Sequence, residues 1–121
     1  MAIEMRFLQN THHPYGKTNM TIRLGVKWSL KLDNVDEFLA LGVHDKSRIQ
    51  MKVKNVRVMR LRDLAEMPEL LQMSHLTAPP NWSDKQELDF NTLAIGIFDI
   101  YGHGKMSIYD IVTVIEYEVK K

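Results

Sequence analysis

The amino-terminal part of the chain alternates between apolar and polar side chains, which predicts two β-strands. Residues 2–8 carry apolar side chains at every second position: Ile3, Met5 and Phe7. Residues 20–24 repeat the pattern, with an apolar set of Met20, Ile22 and Leu24 and a polar set of Thr21 and Arg23. Because successive side chains of a strand point to opposite faces, the two sets are expected on opposite faces. Gly25 is expected to end the second strand.

A longer strand is predicted over residues 48–61, with an irregularity in its middle. It contains two apolar sets of opposite parity: Ile49, Met51 and Val53, then Val56 and Val58. Since a slip of one residue exchanges the two faces of a strand, a bulge or a break near Lys54 and Asn55 would bring both sets to one side. The basic side chains of Lys52, Lys54 and Arg57 would then point outward.

The carboxyl-terminal half predicts helices followed by a final strand. The spacing of Asp63–Glu66 is typical of a capping box, so a short helix is predicted to start there. Residues 83–101 combine a similar start with apolar side chains at helical spacing, and Gly102 provides a stop, which predicts one long helix. Residues 106–119 are predicted to form a strand, and its apolar side chains on both faces indicate a central position.

The order of these elements favours one class of fold. Residues 33–41 suit either a short helix or a strand from Phe38 to Leu41, and both interpretations stay open. Runs of strands and helices in this mixed order predict a small α+β sheet or barrel, whereas an alternating α/β nucleotide fold is disfavoured. With 121 residues and no linker or repeat, the chain is expected to form a single domain over residues 1–121.

Composition excludes several classes of protein. The chain has no cysteine, which rules out disulfides, thiolate zinc sites, iron–sulfur clusters and a cysteine nucleophile. It has no apolar run near the roughly 20 residues needed to span a bilayer and no signal peptide, so we expect a cytoplasmic protein without membrane association. The five histidines lack metal-site spacing and no cofactor motif is present, so neither a metal nor a cofactor is expected.

The two signs of charge occupy different parts of the sequence, although sixteen basic and fifteen acidic residues nearly cancel. Residues 46–62 contain seven basic residues and no acid: Lys46, Arg48, Lys52, Lys54, Arg57, Arg60 and Arg62. Residues 63–99 contain seven acids and one lysine. The molecule is therefore expected to have a basic side, which a polyanion would meet, and an acidic side.

The densest group of chemically useful side chains lies between residues 12 and 28. It includes Lys17, Thr18, Thr21, Arg23, Lys27 and Trp28. Arginine and lysine bind phosphate, hydroxyls orient a ligand and tryptophan stacks on a base, so this group predicts a nucleotide or nucleic-acid site. The basic side chains of Lys52, Lys54 and Arg57 would extend its contact with a phosphate backbone. A solvated loop beside an edge strand, with Trp28 in the core, explains the same pattern, and both interpretations remain open.

A resemblance to a known family adds to these patterns. The segment Gly16-Lys17-Thr18-Asn19-Met20-Thr21-Ile22-Arg23 resembles the signature Gly-x-Lys-x-x-Thr-Ile-Arg of the ASCH domain, a member of the PUA-like superfamily. Residues 24–31 look like that family's Gly-x-Arg/Lys-Trp stretch, and Val53–Leu64 resembles a strand that ends in aspartate-leucine. A late helix that leads through Tyr101-Gly102 into a strand rich in Val, Ile and Glu follows the same order.

The resemblance implies a small α+β fold, a PUA-like (ASCH) β-barrel with flanking helices and a cleft lined by the signature loop and strand. Such domains are associated with recognition of RNA or modified nucleotides, and small members are common in bacteria and their phages. Carried over by position, Lys17, Thr21 and Arg23 would face the cleft, with Lys27 and Trp28 nearby. The expected partner is therefore RNA or a nucleotide, bound in a basic cleft.

Two further functions stay open. Some small members of the family are hydrolases that deacylate an acetylated cytidine nucleoside or cleave RNA. For such an enzyme, Lys17 or Thr21 would be the reacting residue, and Glu66 or Glu69 would act as acid or base. Against this, the lysine lies one position earlier than in the amidohydrolase branch, and Gln72 stands near the place of that branch's glutamate. The third function is a bacterial or phage-encoded modulator that contacts a protein through the acidic residues 63–89.

Overall fold

Five strands, three α-helices and one 3₁₀ helix make up the part of the chain that the structure describes. A computed structural model describes residues 3–7, 18–71, 90–102 and 104–120. In chain order the elements are β1 (Glu4–Phe7), β2 (Asn19–Leu24), α1 (Lys27–Lys31), β3 (Glu37–Gly42), β4 (Arg48–Arg60), the 3₁₀ helix (Leu61–Glu66), α2 (Pro68–Leu71), α3 (Phe90–Tyr101) and β5 (Ile111–Val119). The strands form one curled half-barrel sheet, which confirms the expected α+β class.

The sheet has the strand order β1-β3-β4-β5-β2. β1 and β3 are parallel, and every other neighbouring pair is antiparallel. β5 pairs with β4 on one side and β2 on the other, which confirms the central position that its apolar side chains predict. β1 and β2 are therefore the two edge strands.

The predicted irregularity in β4 is a β-bulge. Val53 pairs with Tyr117 and Asn55 pairs with Glu116, so Lys54 is the extra residue. Beyond the bulge, Val56 pairs with Ile115, which places both apolar sets of β4 on one face of the sheet, as predicted. Val53 and Val56 pack against the core of this face, whereas Val58 is 48% exposed. The side chains of Lys52, Lys54 and Arg57 are exposed, which confirms their outward direction.

Each face of the sheet has its own core. On the face that we call outer, Met20, Val112 and Val114 are buried beneath the 3₁₀ helix, α2 and α3, which contribute Leu61, Leu64, Leu70, Leu93 and Ile97. On the opposite, inner face, the buried side chains are Met5, Phe38, Ala40, Met51, Ile115 and Tyr117, with Leu32 from the turn after α1. Side chains of both edge strands, Phe7 and Arg23, meet on the inner face, so the sheet curls toward it.

The structure defines two elements, α1 and β3, that the sequence pattern did not establish. The ambiguous residues 33–41 resolve into a turn followed by β3, because Phe38 and its neighbours pair with β4 on one side and β1 on the other. The helical alternative for this segment is therefore wrong. α1 was not predicted; it is only five residues long, and it follows Gly25, which ends β2 with φ at +80° as expected.

The helices begin and end close to the predicted positions. The 3₁₀ helix starts at Leu61, so Asp63 lies within it and accepts a hydrogen bond from the Arg60 N–H at 3.0 Å, rather than preceding it as a cap. α3 ends at Tyr101, and Gly102 adopts φ of +100°, which confirms the predicted stop. The predicted start of this helix, at residues 83–89, lies outside the described residues. None of the described helices is long and apolar enough to cross a membrane.

Candidate nucleotide site

β2 places the two central residues of the predicted site on the inner face. Thr21 pairs with Ile115 and Arg23 pairs with Thr113, whereas Met20 and its apolar partners face the helices. Thr21 and Arg23 therefore point to the same side of the sheet, as their alternation predicts. That side is the concave one.

The Arg23 guanidinium lies inside the curl of the half-barrel. Its central carbon is 4.7 Å from the centroid of the Phe7 ring. Burial lowers the pKa of Arg23, and the nearby Tyr101 and Tyr117 oppose that change by a smaller amount. An arginine nevertheless stays protonated in proteins at neutral pH, so the inner face holds a permanent positive charge.

The Arg23 side chain is not fully satisfied by the protein. Its Nε atom is buried and has no hydrogen-bond partner among the residues that the structure describes. Within the described part of the chain, no carboxylate forms an ion pair with this guanidinium. A buried cation without an anionic partner is costly, and most buried polar atoms are hydrogen-bonded. The Arg23 guanidinium can therefore donate to a carbonyl, carboxylate or phosphate oxygen from outside.

Three aromatic rings line the same interior. Phe7 and Phe38 stack with their centroids 6.4 Å apart, and Phe38 meets Tyr117 edge-on at 5.6 Å. Phe7 and Tyr117 are 5.9 Å apart in a tilted arrangement. Burial raises the pKa of Tyr117, with a smaller opposing effect from Arg23, so the phenol is neutral at pH 7. These rings hold the Phe7 ring in place beneath Arg23.

Two basic side chains of β4, Lys54 and Arg57, lie on the outer face and have acidic partners there. Lys54 Nζ is 3.5 Å from Glu118 Oε2, and Arg57 Nε is 3.4 Å from Glu116 Oε2. The Thr18 hydroxyl also donates to Glu118, at 3.1 Å. Both glutamates come from β5, next to β4. We call the exposed cations Lys52, Lys54 and Arg57 the outer stripe. The two glutamates reduce the positive charge that the outer stripe would offer to a phosphate backbone.

The predicted binding residues are consequently divided between two faces. Thr21 and Arg23 are on the inner face; Thr18, Lys52, Lys54 and Arg57 belong to the outer one. Lys17 lies outside the described residues. A single small ligand cannot contact both sets, because the sheet itself separates them.

α1 carries the last two predicted residues, Lys27 and Trp28. Lys27 is exposed at the first position of the helix. Trp28 is half-buried and packs against the inner-face core. The Lys31 Nζ atom lies 4.7 Å from the centroid of its ring. Trp28 therefore has a structural role on the inner face, and a lysine contacts its ring.

The two carboxylates of the hydrolase alternative, Glu66 and Glu69, belong to elements on the opposite side of the sheet from Thr21. Glu66 ends the 3₁₀ helix, which packs on the outer face, and its side chain is exposed. Thr21 faces the other side of the sheet. Of the acidic residues 63–89, the structure describes only the part up to residue 71. The described residues contain no group of three or more histidine and carboxylate side chains that could hold a metal ion.

Sequence reasoning missed two kinds of residue: the aromatic ring that contacts Arg23 and the glutamates that pair with the outer cations. Phe7 was expected only in the core, and Glu116 and Glu118 were recognised only as alternating positions of the last strand. The alternation showed that both glutamates share a face. It could not show which side chains of β4 they would meet, because that depends on the register of a strand some 60 residues away.

Comparisons with protein-family models, curated proteins and solved structures found no match to this chain. The ASCH resemblance accordingly stays a prediction.

Proposed function

We propose that this protein binds RNA or a modified nucleotide and that Arg23 is the principal contact. The observation that carries the proposal is the buried Arg23 guanidinium. It has Phe7 on one side, and its Nε atom has no hydrogen-bond partner in the described part of the chain. A ligand oxygen would satisfy that atom and compensate the buried charge.

The surroundings of Arg23 favour a nucleotide over a simple anion. A guanidinium forms paired hydrogen bonds with phosphate or with the oxygen and nitrogen edge of a base. Thr21 lies two residues away on the same face and offers a hydroxyl, which both donates and accepts. The signature Gly16 to Arg23, on which the family resemblance rests, ends at this same arginine.

The outer stripe is a weaker candidate for contact with phosphates. Two of its three cations, Lys54 and Arg57, already have glutamate partners. Binding of RNA there would have to break these pairs or leave the carboxylates next to phosphates. The proposal therefore places the ligand on the inner face and expects Arg57 to contribute little to affinity.

The hydrolase alternative lacks this kind of support. A general acid or base must come within hydrogen-bond reach of the reacting group. Among the described residues, the predicted Glu66 lies across the sheet from Thr21. The proposal therefore concerns binding and includes no reaction.

Isothermal titration of matched variants tests the proposal. The probes are cytidine monophosphate, acetylated cytidine and a single-stranded RNA of about ten nucleotides, a length within the usual site size of a small binding fold. Arg23→Gln should weaken binding about 10- to 100-fold, the loss typical of charge-assisted hydrogen bonds. Arg57→Gln, which removes a cation from the outer face, should change affinity less than about threefold.

Two outcomes would contradict the proposal. One is that the unaltered protein binds none of the three probes. The other is that Arg23→Gln and Arg57→Gln weaken binding equally, which would point to general electrostatic attraction. Circular dichroism and urea unfolding of both variants show that any loss of binding does not reflect loss of the fold.

A further inference from the structure

A hydrogen-bonded turn precedes β5 and exposes a tyrosine to solvent. Within it, the Ser107 N–H donates to Asp110 Oδ2 at 2.7 Å, and the Tyr109 N–H donates to the Ser107 hydroxyl at 3.2 Å. The turn is also bonded to the end of β4 and the start of the 3₁₀ helix. There, the Leu61 N–H donates to the Asp110 carbonyl at 3.0 Å and the Arg62 N–H to the Ile108 carbonyl at 2.8 Å. Main-chain and short polar contacts thus hold this turn in place without help from the tyrosine ring.

The Tyr109 ring contributes little to the core, since 58% of the residue is exposed. Two arginines flank it. Arg60 Nη1 donates to the Tyr109 carbonyl at 2.8 Å, and the central guanidinium carbon of Arg62 lies 5.7 Å from the centroid of the ring. The exposed ring therefore lies next to the Arg62 guanidinium, and the Arg60 guanidinium binds the backbone of the same tyrosine.

Arg60, at the end of β4, and Arg62, in the 3₁₀ helix, differ from three of the basic residues of β4. Lys54 and Arg57 pair with glutamates, and Arg48 approaches Glu4 at 4.0 Å. Within the described residues, neither Arg60 nor Arg62 forms an ion pair with a carboxylate. The nearest acids of the turn and the 3₁₀ helix, Asp110 and Asp63, accept hydrogen bonds from backbone N–H groups instead. Nearby carboxylates therefore offset less of the positive charge of Arg60 and Arg62 than of the outer stripe.

We propose that Tyr109, Arg60 and Arg62 form a second contact for single-stranded RNA, in which an unpaired base stacks on the tyrosine ring and the arginines bind the adjoining phosphates. Aromatic platforms beside basic side chains are the usual means of holding single strands without strict sequence preference. The inference rests on the proposed nucleotide binding at Arg23 and adds that the ligand is a polymer that reaches a second point. A mononucleotide would occupy only the inner face.

Fluorescence anisotropy with a labelled RNA of about ten nucleotides tests this contact. Tyr109→Ala should weaken RNA binding about 5- to 100-fold, the range for loss of one stacked base. Tyr109→Phe keeps the ring and should bind within about twofold of the unaltered protein. Arg62→Gln should weaken binding and also make the dependence of affinity on salt concentration shallower, because one phosphate contact is lost.

A competition arm with cytidine monophosphate separates this inference from the proposed function. Tyr109→Ala should leave mononucleotide affinity unchanged, whereas Arg23→Gln should reduce it. If Tyr109→Ala binds the RNA as tightly as the unaltered protein, the second contact is wrong and the Arg23 site still stands. If Arg23→Gln leaves mononucleotide affinity unchanged, the proposed function itself is wrong. Val43→Ala, which truncates another exposed side chain away from the turn, serves as the control and should change neither affinity.

Discussion

Arg23 and Arg57 are the same residue type on the two strands that flank β5, yet their surroundings are opposite. Arg23 lies on the inner face against an aromatic ring, with a buried Nε atom that no described residue satisfies. Arg57 lies on the outer face, 3.4 Å from Glu116, with its side chain 44% exposed and the glutamate side chain 12% exposed. Within residues 3–7, 18–71, 90–102 and 104–120, Arg23 has no carboxylate partner, whereas Arg57 has one.

This difference shows why positive charge alone is a poor guide to a binding site. The run of seven basic residues in the sequence suggests that a polyanion would bind the outer stripe more readily than the inner face. In the fold, neighbouring carboxylates offset part of that charge, whereas the single inner arginine remains without a carboxylate among the described residues. A cation that the protein leaves unsatisfied is the more informative feature.

The largest expected effect is on the free energy of unfolding, when a buried aromatic side chain of the inner face or an ion pair of the outer face is removed. Phe38 is fully buried between Phe7 and Tyr117, so Phe38→Ala should lower the free energy of unfolding by about 3–5 kcal/mol, through lost burial and the cavity that remains. Lys54→Ala removes a partly exposed ion pair of the outer face and should cost about 0.2–1 kcal/mol. Urea unfolding measures both changes. Equal costs would mean that the inner aromatic cluster is not the main source of stability.

A smaller change in the free energy of unfolding is expected when either of the two arginines is replaced. Arg57→Met leaves the mostly buried Glu116 carboxylate without its cation, so the free energy of unfolding should fall by about 1–3 kcal/mol. Arg23→Met removes a desolvated cation for which the described residues supply no anion, so it should change the free energy of unfolding by less than about 1 kcal/mol in either direction. Urea unfolding of both variants checks the ranking, and a greater loss for Arg23→Met would reverse the comparison. Glu116→Gln added to Arg57→Met should restore part of the lost stability.

The smallest effect is an alkaline loss of stability that the inner face should show. Burial raises the pKa of Tyr117 above its ordinary value of 10.0, so the unfolded chain loses this proton at a lower pH than the folded chain. Stability should therefore be fully retained below pH 10.0 and then fall by at most about 1.4 kcal/mol per pH unit as the pH rises toward the folded-state pKa.

Urea unfolding at a series of alkaline pH values measures this dependence. Tyr117→Phe should remove the contribution of this group and flatten the profile, even if the absolute stability shifts. Tyr109→Phe changes an exposed tyrosine and should keep the profile of the unaltered protein. Identical profiles for all three proteins would show that Tyr117 ionises as easily in the folded state as in the unfolded one.

Local patterns predicted much of the sheet because they report on the faces of individual strands. The change of parity between Val53 and Val56 indicated a bulge, and the register confirms one at Lys54. The alternation in β2 placed Thr21 and Arg23 on a common face. Both conclusions need only the period of a strand, which adjacent residues display.

Other features escaped prediction because their causes lie elsewhere in the chain. Residues 37–42 form a strand because β1 and β4 supply hydrogen-bonding partners on both sides, and no local pattern reveals those partners. α1 is too short for a helical period to stand out over five residues. The pairing of Lys54 and Arg57 with the glutamates of β5 depends on register across the sheet.

The sequence by itself determined which side chains share a strand face, where β4 bulges, that the last strand is central and where α3 stops, since each follows from spacing between near neighbours. Only the tertiary structure decided that Phe7 would lie under Arg23 and that glutamates would meet the outer cations. Those contacts arise when the sheet curls and its strands come into register, which brings together residues that are distant along the chain. The candidate site therefore combines a strand face visible in the sequence with an aromatic partner that folding supplies.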